Sequence, residues 1–365
     1  MASNVNQYIG RALACLVDGA RDQAIRSLDS RGRRQQMLQE LDLLQSLYKT
    51  LGQCIQRHIA ETKRQLNLSA PIYSLPNELL IEIFALVHAL DYPHLGNLCL
   101  IRLGLVSTDW GRIVFETPSL WGHISTIHPV EQNRTAIRLS KGYPVRVAYY
   151  HDYMGSGGSE TAFIRFASQE AHRWQMAHFH VGDYTLPLLH DFAALSVPRL
   201  EELLIDCSTV PEELLQGVSI NIFGGVADRL RHVTLCDPPV PWSSRLLSRL
   251  ETLSISSRDA HFAPTTSEIT AILRQCPDLR AFSLFELGGD EIHVSGAAPS
   301  EAETVHLPAL TSFVLQLRNA EVFNRIISSI RIPACTEFDL ECFYSTGNPF
   351  SSGARHFTSA LSSAI

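Results

Sequence analysis

The chain has 365 residues, 45% hydrophobic and 18% charged, with a formal net charge of −7. The composition is globular, the length predicts two or more units or a solenoid, and the negative balance excludes wholesale electrostatic capture of nucleic acid or anionic lipid. No run of 18 uninterrupted apolar residues occurs, which excludes a simple membrane-spanning helix, and none of the eight cysteines forms a C-x-x-C pair.

Reduced, buried thiols in a cytoplasmic or nuclear protein are therefore expected, with no disulfide framework, no zinc site and no cofactor. Ala12 to Val17 is a short apolar run between Arg11 and Asp18 and does not read as a secretory signal. The only tight basic cluster, Arg31-Gly32-Arg33-Arg34, reads as a solvated helix start.

Residues 1–68 read as helical. Val5, Ile9, Leu13, Leu16 and Val17 make one stripe, and Met37, Leu41, Leu44, Tyr48, Leu51 and Ile55 make a stronger one with steps of four and three. Continued in that register the seam reaches His58, Thr62 and Gln65 and fades, and Gly52 weakens the helix by about 1 kcal/mol relative to alanine. Two arrangements fit: a coiled-coil homodimer, or a helix folded back on its neighbour or the body.

Asn67 to Pro71 breaks the run, and the next helix opens at Leu75-Pro76-Asn77-Glu78. Proline suits a first helical turn because it has no N–H to leave unbonded, and the Glu78 carboxylate suits the positive end of the helix dipole. Leu79, Leu80, Ile83, Phe84 and Val87 follow at helical spacing, in a stripe wide enough for one side to face the core and another a partner. Asp91-Tyr92-Pro93-His94 ends that helix. Two more helical segments follow, about 98–107 and one carrying Trp110, Ile113, Val114 and Phe115, before Thr117-Pro118-Ser119-Leu120-Trp121.

These blocks together, L-P-x-E-L-L-x-x-I-F, then V-S-x-x-W-x-x-I from Val106, then T-P-S-L-W, resemble an F-box over residues 72–124. With the helical preface, the layout is similar to the large F-box families of mushroom-forming fungi. The linker before Val106 is longer than in a compact F-box, and serine stands where V-C-x-x-W has cysteine. The resemblance implies a helix docking on a Skp-type adaptor, and through it on a cullin. It places Leu75, Pro76, Leu79, Leu80 and Ile83 at that contact, and Phe84, Val106, Trp110, Ile113 and Trp121 in the domain's own core.

Beyond the box, Pro144 to Tyr150 alternates and reads as a strand, and Gly155-Ser156-Gly157-Gly158-Ser159 reads as a surface loop without the G-K-[ST] of a phosphate-binding loop. From about residue 171 a pattern Φ-x-x-Φ-x-Φ recurs, where Φ is apolar. Strong copies are Leu200/Leu203/Ile205, Leu230/Val233/Leu235, Leu250/Leu253/Ile255, Leu279/Phe282/Leu284 and Leu310/Phe313/Leu315. Weaker copies are Trp174/Ala177/Phe179 and Cys335/Phe338/Leu340. Successive copies begin 26, 30, 20, 29, 31 and 25 residues apart, bracketing the period of leucine-rich repeats. Such a unit cannot bury its apolar side alone, so units stack. The spacing is irregular and the asparagine expected after the strand is missing, with Cys207 and Cys236 near two such positions.

The expected fold is thus α+β with an α/β solenoid: a helical segment over 1–68, a small all-helical box over 71–125, and an irregular repeat array with a curved parallel sheet over 140–365. A compact α/β domain with parallel strands is the alternative. No capping repeat is evident at Ser362-Ser363-Ala364-Ile365, and either a truncated chain or an unfinished solenoid fits that end.

Chemistry-bearing residues do not converge. His172, His178 and His180 are the closest set, but only His178 and His180 share a strand face and no third ligand is fixed beside them; His151-Asp152 has no nucleophile in a recognisable turn, and no cysteine sits in a setting that lowers its pKa. No catalytic or metal-binding residue is assigned. The outward positions of the repeats carry the binding expectation, foremost Glu202, Asp206, His232, Thr252, Ser283 and Asp339. The expectation is a non-catalytic subunit presenting an unidentified protein substrate to a ligase. The rival readings are a repeat scaffold outside any ligase, dimeric through its N-terminal helices, and an enzyme built on a His/Asp set.

Overall fold

The structure is a computed structural model that describes residues 30–91, 96–151, 157–183, 185–258, 262–286 and 304–342. The chain divides into two compact units, Met1–Pro76 and Asn77–Ile365. The described part of the first is one 39-residue helix, α1 (Ser30–Leu68), and a 3-10 turn, Pro71–Ser74. Bonds one turn apart reinforce α1, such as Gln65 Nε2 to Glu61 Oε1 at 2.9 Å. The stripe Val5 to Val17 lies outside the described residues.

The second unit begins with three helices, α2 (Asn77–Asp91), α3 (Asn97–Gly104) and α4 (Thr108–Glu116), and a 3-10 turn, Pro118–Trp121. Ser107 caps α4 by accepting from the Trp110 N–H at 3.2 Å. The chain then winds through β1 (His123–Ser125), α5 (Val130–Ser140), β2 (Val145–Tyr150), α6 (Gly157–Ser168), β3 (Trp174–His180), β4 (Glu202–Asp206) and α7 (Glu212–Leu215). It continues through β5 (His232–Cys236), β6 (Thr252–Ser257), α8 (Thr266–Arg274), β7 (Ala281–Glu286) and β8 (Val305–His306), then β9 (Ser312–Leu317), α9 (Ala320–Ser328), β10 (Ile330–Arg331) and β11 (Glu337–Cys342).

Nine strands form one parallel sheet in the order β1-β2-β3-β4-β5-β6-β7-β9-β11. Strand order equals chain order, so each turn of chain adds one strand beside the last, as in a solenoid. β8 and β10 form a separate parallel pair. The register is constant: Leu203 opposes Val233, Val233 opposes Leu253, Leu253 opposes Phe282 and Phe282 opposes Phe313. A second column runs Ile205, Leu235, Ile255, Leu284, Leu315. All ten side chains are buried, as are the leading leucines Leu200, Leu230, Leu250, Leu279 and Leu310. The Phe282 and Phe313 rings stack at 5.8 Å. A second aromatic cluster joins Trp174, Phe179, Phe192 and Phe223 with centroids 4.7–6.4 Å apart.

Three details differ from the sequence reading. The sheet starts inside the box, because β1 pairs in parallel with β2, so box and repeats share one unit. Gly157, Gly158 and Ser159 open α6 rather than sitting in a loop, while residues 152–156 lie outside the described ones. Finally, β11 is less well covered than the other repeat strands: Phe338 and Leu340 are half-buried, and Glu337 and Asp339 are exposed.

Where the repeat asparagine is missing, other polar groups hold the chain after the strands. Asn133 accepts from the Ser125 N–H at 3.1 Å and donates to the Ser125 carbonyl at 2.8 Å. Asp237, 1% exposed and at φ 46°, receives the Arg258 guanidinium, and accepts the Arg258 N–H at 2.8 Å. Arg258 also donates to the Val210 carbonyl at 2.8 Å, so one side chain ties the ends of three neighbouring repeats. Removing the half-exposed guanidinium leaves the buried Asp237 carboxylate without its counter-charge. Arg258→Ala is therefore expected to cost about 3 kcal/mol in urea unfolding. Adding Asp237→Asn, which keeps a residue tolerant of positive φ, is expected to recover most of it. A double variant as unstable as the single one would place the loss elsewhere.

Candidate functional site

Helix α2 carries two apolar stripes. Leu80, Phe84 and His88, one turn apart, are buried. Phe84 is fully covered and packs on Trp110 with ring centroids 4.8 Å apart. Trp121 is buried too, and its indole N–H donates to the Val114 carbonyl at 2.8 Å. Ile113 fills the same core.

The other stripe is Leu79, Ile83, Leu86 and Leu90, at steps of four, three and four. Ile83 is half-buried, while Leu79 is 45%, Leu86 65% and Leu90 83% exposed. Leu98, Leu105, Val106 and Phe115 on the following helices and turns are exposed as well. A scatter of single exposed apolar residues is ordinary, but a regular helical row of large ones is the mark of a docking face.

Two assignments change. Leu80 is in the core, not at a contact surface, because it falls on the same stripe as Phe84. Val106 is 51% exposed, because it lies in the turn between α3 and α4, and it packs no core. Leu75 is half-buried and Pro76 exposed, both just before α2 in the chain. The motif does not point to Leu86, Leu90, Leu98 or Leu105. Extending the step pattern from Leu79 and Ile83 finds the first two.

Residues 72–127 match the family described as F-box-like. The chain carries an F-box-like domain. No curated protein matches the chain. An F-box-like domain supports an adaptor role in ubiquitin-ligase complexes and implies an interaction with a Skp-type adaptor.

Within this domain, His88 on α2 and His123 on β1 face each other with centroids 4.8 Å apart, and Arg146 Nη1 on β2 lies 3.4 Å from His123 Nε2. Burial, then the charges of His88, Arg146 and His128, hold the His123 pKa down to about 3. Burial also lowers that of His128.

The open face of the sheet is polar and largely paired within itself. His178 Nε2 is 2.9 Å from Glu202 Oε1, and His180 Nδ1 is 3.1 Å from Asp206 Oδ2. The His178 hydrogen bond keeps the Glu202 carboxyl below the usual range. Hydrogen bonds from His180 and then Ser208 hold Asp206 down to about 2, against the opposing effect of burial. Tyr150 stacks on His180 at 4.8 Å. His232 Nδ1 lies 2.9 Å from Thr252 Oγ1. Ser283 is half-buried on the same face, and Asp339 is exposed and accepts from Gln316 Nε2 at 3.1 Å.

These pairs consume the side chains that a His-based metal or acid–base site would need. Among the described residues no group of three or more His, Cys, Asp and Glu side chains could hold a metal ion. Burial pushes the Cys207 thiol up and that of Cys236 up to about 11, away from thiolate chemistry. The arrangement suits binding.

The histidine pair yields a signed prediction. Folded His123 stays neutral near pH 7, while the unfolded residue, with a pKa near 6.5, takes up its proton first as pH falls. Its contribution to stability is fully present above pH 6.5 and is lost as pH drops toward 3. At about pH 5.5 the wild type is expected to have lost about 1.3 kcal/mol more, relative to pH 7, than His123→Gln. Urea unfolding at both pH values measures this. Equal losses would show that His123 is readily protonated in the folded chain.

Proposed function

We propose that this protein is a non-catalytic recognition subunit of a Skp–cullin–F-box type ubiquitin ligase. The outer stripe of α2, Leu79, Ile83, Leu86 and Leu90, docks into an apolar groove of the Skp-type adaptor, and Leu98 and Leu105 extend the contact. Leu75 and Pro76 join it on the ground of their place in the motif. The observation that carries the reading is the division of α2 into a buried and an exposed apolar stripe inside an F-box-like domain. Helix-in-groove recognition reads a row of this spacing.

The adaptor links the chain to a cullin, and the open face of the sheet presents a protein substrate for ubiquitin transfer. Glu202, Asp206, His232, Thr252, Ser283 and Asp339 stand on that face in register. Its charges are largely paired internally, so a substrate is met by a preorganised polar surface with few charges to desolvate. Action in the cytoplasm or nucleus follows from this reading. A repeat scaffold working without a ligase is the rival, and the same assay separates the two.

Leu79→Glu with Leu86→Glu changes only exposed positions, so the fold is expected to survive. Co-purification with a Skp-type adaptor should then fall at least tenfold, since central apolar anchors each carry about 1–3 kcal/mol. Undiminished capture by a folded double variant, or no capture by the wild type, would contradict the proposal.

A further inference from the structure

The long helix α1 leaves a second row of large apolar side chains uncovered. The seam Met37 to Ile55 does not fade at His58. One added step of four carries it to Ile59 and then, through Thr62, to Leu66. Steps of three, four and four make eleven residues, an interruption that long paired helices accommodate by a local change of winding. The apolar members of this row are each 37–81% exposed, and it runs about 44 Å along the helix. An isolated helix gains nothing from such a row, because propensity alone stabilises it only marginally.

We infer that α1 pairs in parallel with α1 of a second copy of this chain. Two observations select that occupant. The first is area: the exposed seam from two copies amounts to roughly 1,500 Å², within the range of a standard stable interface. The second is flanking chemistry. In a parallel pair each flanking residue meets the one five positions on in the other copy. Over the heptad part of the row that sets Glu40 beside position 45 and Leu47 beside position 52, which are glutamine and glycine, with no like charges opposed. Gly52, with open space where a Cβ would project, lets Leu47 approach.

The inference stands independently of the adaptor reading. Joined to it, a dimer carries two docking helices and two sheet faces, so a substrate with two binding segments gains from effective concentration.

The test uses the full chain. Light scattering after size exclusion is expected to give twice the 40.6 kDa of one chain. Leu41→Lys with Leu51→Lys, both at exposed seam positions, is expected to weaken dimerisation at least a hundredfold while leaving adaptor capture intact. A short bismaleimide is expected to link two copies through the exposed Cys54 in the wild type, but not in the lysine variant or in Cys54→Ser. Three results would overturn the inference: a monomer at tens of micromolar, a dimer indifferent to the lysines, or a dimer that never links at Cys54. A monomer whose α1 amides resist hydrogen exchange would assign the seam to the chain's own residues.

Discussion

The contact on which the docking face depends is Phe84 against Trp110. It fixes the rotation of α2 about its axis. With Phe84 fully buried, Leu80 and His88 must turn inward with it, because all three lie one helical turn apart. Leu79, Ile83, Leu86 and Leu90 are then forced outward. A large aromatic pair suits this role, because its burial is worth several kcal/mol and its geometry tolerates little rotation. The exposed row is thus a consequence of core packing, held at low entropic cost to any partner that binds it.

The same unit continues without interruption into the sheet. β1 lies beside β2, and the histidines of α2 and β1 meet behind the docking helix. From there each repeat buries two apolar columns against its neighbours. Constant register is what makes the open face usable: side chains alternate strictly, so everything between the buried columns faces out. The cost of an irregular repeat length falls on the loops, and single polar devices absorb it. Asn133 holds the chain after β1, and the Asp237–Arg258 pair closes the corner between β5 and β6.

Much of this is legible in the sequence. The repeat strands follow from Φ-x-x-Φ-x-Φ because alternation and a leading leucine leave little freedom, and the structure pairs every copy. The box helices follow from three spaced blocks. Rotation is what the sequence leaves open: Leu79-Leu80-Ile81 and Ile83-Phe84 put apolar residues around most of the helix, so the motif does not say which leucine faces in. Leu80 is misplaced by the motif for that reason. Val106 falls in the core on spacing alone, although a turn residue has no helix face. β1 is three residues long, too short for a period to register. The Gly-Gly-Ser start of α6 reads as a loop because glycine favours turns, yet packing further along the helix overrides it.

The central claim is that the outer stripe of α2 is where the adaptor binds. Hydrogen–deuterium exchange of the full chain with and without a purified Skp-type adaptor tests it most directly. The predicted result is new protection confined to residues 75–90 and 98–106, with the sheet strands and α1 unchanged. Protection on the open face of the sheet, or none on α2 at saturating adaptor, would contradict it.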